Sequence, residues 1–459
     1  MPVYDSPYAL TSRAESRAQG RAHRATAPRG RLADHSTADR DPVGHLRAQN
    51  AGRLPELVPL RMQRMLADPF AFYRGTAGLM AADLADAPSS GILVASCGDA
   101  HVSNFGFYAS PERRLVFDLN DFDEAAIAPW EWDVKRLITS ALIGGRHVGY
   151  AEADIERICV SAVATYASVL QRMAGLSAAD RYFMHLNIDF ARQQMSKAGR
   201  RALRRAVEGA QRRTGARALE RTTQRDDAGR LRFIGNPPTM VRIDPHEIIS
   251  EGGQSIPQLF RQYRTSVGVD IDTVLTQYAP TDLARRVVGV GSVGTRCFLQ
   301  LLEGADDDAL VLQVKQADRS VLDEHGSITQ TARIADGVAA HGEGFRVVSL
   351  QRVLQAVSDP FLGYLRANGR DFYVRQFHDM KGSIELEGLP LDAFDDYVRA
   401  CAAVLGRAHA QSTTASRVTG YIGRSDAAAR AILDWSLAYA ELSAADCRAV
   451  QAAFADEGP

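Results

Sequence analysis

Lysine is nearly absent from this chain. Of its 54 basic residues only Lys135, Lys197, Lys315 and Lys381 are lysine, so 54 − 4 = 50 are arginine. A bias in the coding sequence explains the bulk of that skew, yet it makes each remaining lysine worth locating. Cysteine is sparse too. Cys97, Cys159, Cys297, Cys401 and Cys447 are far apart and form no C-x-x-C pair, which argues against a disulfide framework and a structural zinc site. No run approaches the ~18 apolar residues of a membrane helix. The opening stretch MPVYDSPYALTSRAESRAQGR lacks an apolar signal core. Net charge is 54 − 55 = −1, so there is no global electrostatic case for nucleic acid. The expectation is a cytoplasmic protein with no membrane partner.

What is present is ordinary globular material. Apolar residues make up 46% and charged residues 24% of 459, enough for about three domains or two large ones. Residues 1–45 are rich in Arg, Ala and Ser and poor in periodic apolar residues, which reads as a mobile basic arm. From Leu54, apolar spacing at Leu57, Leu60 and Met65 predicts a helix, with a break at Asp68-Pro69. Ile92–Ala95 and RRLVFDL read as strands, and EWDVKRLITSALIGGR and AEADIERICVSAVATYASVLQRMAG as helices. Arg192 to Arg225 holds 11 basic residues against Glu208 and Glu220. That is a solvated basic face, or else a docking surface for an anionic partner. GNPPTM (235–240) marks a linker or reversal. Beyond about residue 285 the texture turns to strands, and from Leu391 it is helical.

Four features carry chemistry. Gly98-Asp99-Ala100-His101-Val102-Ser103-Asn104 follows an apolar strand. At that spacing an aspartate can orient a hydroxyl and accept its proton, and an asparagine can offer oxygen to Mg²⁺. A plain polar turn is the equal alternative. Asp118-Leu119-Asn120-Asp121-Phe122-Asp123-Glu124 gathers carboxylates that repel unless a cation collects them; an acidic surface turn is the other reading. Gly289-Val290-Gly291-Ser292-Val293-Gly294 is a G-x-G-x-x-G. A dinucleotide fingerprint needs a helix after it, whereas TRCFLQLL reads as strand, and strand–glycines–strand is a phosphate-covering loop. Lys315, in ALVLQVKQA one hairpin later, stands where a cation neutralises phosphate. An edge-strand lysine facing water is the ordinary alternative.

The stretches RMLADPFAFYRGTA, GDAHVSNFGF, LVFDLNDFDEA, PWEWDVKRL, VVGVGSVGTRC, LQVKQA, QAVSDPFLGY, YVRQFHDMKGS and RAHAQS together resemble the bacterial family catalogued as domain of unknown function 2252, over roughly residues 40–440. That family is grouped with the protein-kinase-like fold, and its motifs look like those of aminoglycoside phosphotransferases. The resemblance implies an α+β, two-lobed, kinase-like fold that is circularly permuted, with the catalytic loop N-terminal to the glycine-rich small lobe. Residues 46–235 are then the first part of a helix-rich large lobe, 236–285 a linker and crossover, 286–380 the small lobe and 381–459 the second, helical part of the large lobe. It implies ATP, or another nucleoside triphosphate, and Mg²⁺ as cofactors, and a small-molecule acceptor of unknown identity. Asp99 is the implied base. Asn104 and Asp118 are implied metal ligands, with Asp121 as alternative or second ligand. Lys315 would pair with phosphates. Gly289, Gly291, Ser292 and Gly294 would cover the nucleotide, with Arg375 and Gln376 along its hinge. His101 would hold the loop or touch phosphate, and Asp133 would brace the loop.

Relatives commonly carry a glutamate where this chain has Ser349, and Cys97 stands where many kinase-like enzymes have histidine. Glu324 or Glu343 is the candidate replacement to position Lys315. The expected activity is phosphotransfer to a hydroxyl. Nucleotide binding without catalysis, or transfer of AMP, is the alternative. A metallophosphoesterase needs histidine motifs this chain lacks. Arg74, in FAFYRG, is a candidate contact for an anionic acceptor, against the commoner role of pairing with a carboxylate.

Overall fold

The computed structural model describes residues 11–36, 40–184, 192–243, 254–287, 289, 291–377 and 380–455. Val288 and Val290 of the glycine motif and His378 and Asp379 of the hinge stretch lie outside them. So do residues 1–10 of the expected arm. Among the described residues no helix is long and apolar enough to cross a membrane.

Residues 11–36 and 40–45 of the expected arm are folded. Ser12 and Glu15 form a capping box that starts the helix Arg13–Thr26. Ser16 and Gly20, one turn apart, let this helix lie against Ala415–Ile422. A Cβ on Gly20 would stand 2.0 Å from the Arg417 carbonyl oxygen, so only glycine permits the approach. Arg24 donates to the carbonyls of Gly420 and Tyr421, and Arg29 to that of Ile422. These cations sit at the negative end of a helix. The arm lacks an apolar stripe because its contact is made by backbone and arginine.

Four short strands follow, β1 (Leu93–Ser96), β2 (Phe105–Ala109), β3 (Leu115–Leu119) and β4 (Ala126–Pro129), pairing β1 with β4 and β2 with β3. They lie among long helices: Trp130–Val148, Glu152–Ala174, Leu391–His409 and Ala427–Ala455. The strands and these helices share one large core. Asp68 caps a new helix, Pro69–Arg74, so the Asp-Pro step is a start as well as a break. The basic stretch includes the helix Lys197–Gln211, which buries Leu203 and Ala210 and exposes Arg201, Arg204 and Arg205.

A hairpin, β5 (Thr223–Arg225) and β6 (Leu231–Phe233), leads to GNPPTM, which is a reversal: the Asn236 amide donates to the Met240 carbonyl at 2.7 Å. Then comes a six-stranded antiparallel sheet of β7 (Met240–Arg242), β8 (Ala279–Arg286), β9 (Cys297–Glu303), β10 (Ala309–Ala317), β11 (Gly363–Ala367) and β12 (Arg370–Gln376). Its order is β11-β12-β10-β9-β8-β7. The stretch expected as linker and crossover thus gives the sheet β7 and most of β8. It also supplies two helices, Ile256–Arg264 and Val269–Leu275, that help cover one sheet face. The glycine motif joins β8 to β9, strand to strand. The acidic turn after β9 reverses through Asp306 and Asp307 at positive φ, which aspartate tolerates.

Trp130–Val148 is buried almost all round, yet it carries Glu131, Asp133, Lys135 and Arg136. Buried charges need partners. Three have them: Ser90 for Glu131, Cys97 and Gly98 amides for Asp133, and Asp99 for Arg136. Lys135, 1% exposed, has the Trp435 ring 4.5 Å from Nζ and no ion pair among the described residues. Burial pulls its pKa down to about 8 against the pull of Glu131. The unfolded lysine titrates near 10.4, so between about pH 8 and 10.4 the unfolded chain binds the extra proton and stability rises with pH. Below pH 8 the full cost is present. Lys135→Met is expected to stabilise the protein by about 1–2 kcal/mol at pH 7 and to remove that rise. Urea midpoints from pH 7 to 10 that run parallel for the two proteins exclude this.

Candidate functional site

β1 delivers the chain to Gly98, whose φ is +82°. A Cβ there would meet the Glu124 carbonyl oxygen at 2.1 Å, so the catalytic-type loop can close on the acidic turn only through glycine. Asp133 accepts from the amides of Cys97 at 2.8 Å and Gly98 at 3.0 Å. His409 Nε2 donates to the same carboxylate at 3.1 Å, which leaves Nδ1 to accept the Tyr166 hydroxyl at 2.8 Å. Asp133 therefore braces the loop. Asn104 donates from Nδ2 to the Asp99 carbonyl at 2.8 Å, holding the loop's two ends together and leaving its own Oδ1 for another group.

Asp99 receives Arg136 Nε on Oδ1 at 2.8 Å. Its Oδ2 has only long contacts, Asn104 Nδ2 at 3.3 Å and His101 Nε2 at 3.6 Å. Burial pushes the Asp99 carboxyl upward while Arg136 opposes it. His101 is 4% exposed, and burial, then Arg74 and Arg136, hold its pKa well below the usual imidazole value. It stays neutral beside Asp99.

Of the two candidate metal carboxylates, Asp118 does not face the cleft. It is still on β3, 2% exposed, and accepts backbone amides on both oxygens, from Leu119 at 2.9 Å and Ala356 at 2.8 Å. That expectation is corrected: Asp118 ties the strand to the chain after the helix Glu343–Leu354. Asp121, beyond the strand, does face the cleft. Lys315, 3% exposed, contacts Asp123 closely and Asp121 at 3.7 Å. Burial disfavours the ammonium, but the two carboxylates outweigh it and raise its pKa well above normal. Burial opposes ionisation of Asp121 too, yet Lys315, Arg375 and Lys381 hold its pKa down. Burial and Asp121 push Asp123 up, and burial takes Glu124 up to about 7.

The place of the missing glutamate is filled differently. Neither Glu324 nor Glu343 pairs with Lys315; Glu343 pairs with Arg346 on its own helix. Arg346, 2% exposed, donates to the carbonyls of Asp123, Ala125 and Asp318. The helix thus fixes the acidic turn through an arginine, and the turn supplies the counter-charge for Lys315. Ser349 takes no part.

Two cavities meet here. A cleft of about 480 Å³ is lined by Asn104, Asp121, Gly289, Ser292, Lys315, Arg375 and Gln376, together with Tyr108, Phe361 and Lys381. A chamber of about 140 Å³ is lined by Asp99, His101, Asp123, Glu124, Gly291, Arg53 and Arg74, and shares Asn104, Asp121, Gly289 and Ser292 with the cleft. Of the expected residues only Asp118 and Gly294 line neither. Gly294, at φ +90°, turns the chain into β9 and packs on Arg53. The loop is pinned from the N-terminal block. Arg53 donates to the Val293 carbonyl at 2.6 Å, the Leu54 amide to that of Gly294 at 2.9 Å, and Arg64 to that of Gly289 at 2.9 Å.

A protein-family model described as "Uncharacterized protein conserved in bacteria (DUF2252)" matches residues 53–453. The chain belongs to this family. No curated protein and no solved structure matches the chain. The DUF2252 match covers the whole cleft, and of the chamber only Gln49 lies before it. Sequence reasoning passed over three residues of this DUF2252 site. Arg136 stands three positions after Asp133, so both face the loop from one side of one helix. Asp123 was visible in the acidic turn, but nothing local tied it to Lys315. Lys381, in DMKGS, reaches the cleft.

Proposed function

We propose that this DUF2252 protein is a kinase-like phosphotransferase that uses ATP and Mg²⁺ to modify a hydroxyl of a small-molecule acceptor, on a circularly permuted kinase-like fold. The observation that carries the reading is the convergence of the glycine loop, Lys315, Asn104 and Asp121 on one cleft that opens into the chamber of Asp99. A cleft of about 480 Å³ lies in the usual range for ligands of nucleotide size. In the transfer, the acceptor oxygen bonds the terminal phosphorus as the bond to the ADP oxygen breaks. The acceptor proton passes to Asp99 Oδ2, and ADP leaves. Lys315 neutralises phosphate charge, and the glycine loop lays backbone amides over it. The donor set fits magnesium: Asp121 and the free Oδ1 of Asn104 are two hard oxygens, and such ions keep waters and take phosphate oxygens for the rest. Magnesium, when bound, screens the triphosphate and holds it for displacement. All five thiols are buried and free, which suits the reducing cytoplasm expected for the protein.

Saturating ATP with Mg²⁺ is expected to raise the unfolding temperature, with about 2.7 kcal/mol of stabilisation at a hundredfold excess over Kd. Asp121→Asn is expected to lose the magnesium dependence of that shift, and Asp118→Asn to keep it while lowering stability. Absence of a shift with any nucleoside triphosphate at saturating magnesium sinks the reading. A second reading, nucleotide binding without transfer, is favoured by the engagement of Lys315 with two carboxylates and by the missing helix glutamate. It predicts the same shift with no nucleotide consumed.

A further inference from the structure

Each carboxylate lining the chamber already has a partner. Asp99 has Arg136, Asp121 and Asp123 share Lys315, and Glu124 accepts from the Val321 amide at 2.8 Å. Arg74 lines the same chamber and is left over. Among the described residues it makes no ion pair and no hydrogen bond, and its Nε is buried without an acceptor. Its guanidinium lies 5.8 Å from the centre of the Phe70 ring. A half-buried guanidinium that pairs directly with no carboxylate among the described residues is costly to keep. Its position is fixed, because it ends the helix Pro69–Arg74 and its carbonyl oxygen lies 3.5 Å from where Gly291 would carry a Cβ. Arg74 thus stands under the tip of the glycine loop, beside Asp99.

We infer that Arg74 binds the terminal phosphate of the nucleotide and stabilises it during transfer. The inference rests on the phosphotransferase reading and assigns Arg74, expected as a contact for an anionic acceptor, to the nucleotide's terminal phosphate instead. The chamber, at about 140 Å³, is too small for a nucleoside, whose pockets start near 300 Å³. The larger cleft takes the nucleoside, and the shared wall of Asn104, Asp121, Gly289 and Ser292 is where the phosphates pass between the two. A guanidinium grips two phosphate oxygens at once, which an ammonium cannot do. That suits Arg74, which has no hydrogen-bond or ion-pair partner among the described residues, while Lys315 keeps the position nearer the nucleoside.

The test compares ATP with ADP, each with Mg²⁺, on the full chain by calorimetry. Wild type is expected to bind ATP more tightly than ADP. Arg74→Ala is expected to weaken ATP tenfold or more while ADP stays within twofold, so the difference between the nucleotides disappears; Arg74→Lys restores it in part. The ADP affinity doubles as the check on folding. An unchanged ATP-to-ADP ratio in Arg74→Ala overturns this inference alone. A wild type that binds neither nucleotide overturns the phosphotransferase reading and this inference with it. Loss of ADP binding together with ATP in Arg74→Ala, in a protein with a wild-type unfolding temperature, also overturns it, because the residue would then serve the whole nucleotide.

Discussion

Asp133→Ala is expected to cost about 3–5 kcal/mol of stability, the range for removing one member of a buried charged network. The carboxylate is 1% exposed and accepts three hydrogen bonds, from Cys97 N, Gly98 N and His409 Nε2. Alanine leaves two buried amides without acceptors, each worth about 1–3 kcal/mol when orphaned, and strands the His409–Tyr166 pair. Asp133→Asn keeps one acceptor oxygen but turns an NH₂ toward a donor, so its loss should fall between wild type and alanine. Urea unfolding gives the magnitude. Hydrogen exchange gives the place, with the Cys97 and Gly98 amides losing protection first. A loss under 1 kcal/mol in Asp133→Ala would show that the brace is ornamental.

That brace was legible only through the family resemblance that PWEWDVKRL carries. The glycine–strand–lysine order was legible in the residues themselves: β9 and β10 are consecutive and apolar spacing marks both, whereas most of β8 fell in the expected linker. Legibility failed where the contact is remote or is made by backbone. Asp118 and Asp121 follow the same strand, and only the pleat decides between them. Asp118 is still in register with Gly106 on β2 and points to the Ala356 amide, whereas Asp121 has left the ladder. Lys315 and Asp123 are 192 positions apart (315 − 123), so no local pattern could join them, and the Ser349 departure looked graver than it is. The N-terminal helix was hidden because Ser16 and Gly20 bury it where an apolar stripe was sought. The strand β7 has three residues, too few to show a period.

At three places the site's charges are held across elements. Asp99 on its loop meets Arg136 on a helix, Lys315 on β10 meets the acidic turn, and that turn is held by Arg346 on a second helix. On the proposed reading, an entering nucleotide competes with Asp121 and Asp123 for Lys315. Screening weakens that internal pair less than it weakens steering from bulk solvent, so salt is expected to act on the rate of nucleotide association before it acts on the stability of the empty site.

Asp99→Asn is expected to lower phosphotransfer by about 10²–10⁴-fold, the usual contribution of a positioned base. The geometry says why the effect should fall on turnover and spare binding. Oδ1 is committed to Arg136, while Oδ2 faces the chamber with only two long contacts. Oδ2 is therefore the atom free to take a hydroxyl's hydrogen bond, and it lies apart from the cleft proposed for the nucleoside. Asparagine preserves the shape and keeps one acceptor for Arg136, but its neutral amide cannot take a proton. The change also replaces an ion pair by a hydrogen bond to a neutral amide at a 2%-exposed arginine, a stability loss of about 1–2 kcal/mol. Nucleotide affinity, by contrast, should stay within a few-fold, since Lys315, Asp121 and the glycine loop are untouched. With no acceptor in hand, slow hydrolysis of ATP by water serves as the readout, measured beside ATP binding in the same preparation. Equal loss of binding and hydrolysis would place Asp99 in the fold and outside the chemistry. Retained hydrolysis with full binding would move the base elsewhere in the chamber, to Glu124, the only other carboxyl lining it whose partner is not a cation.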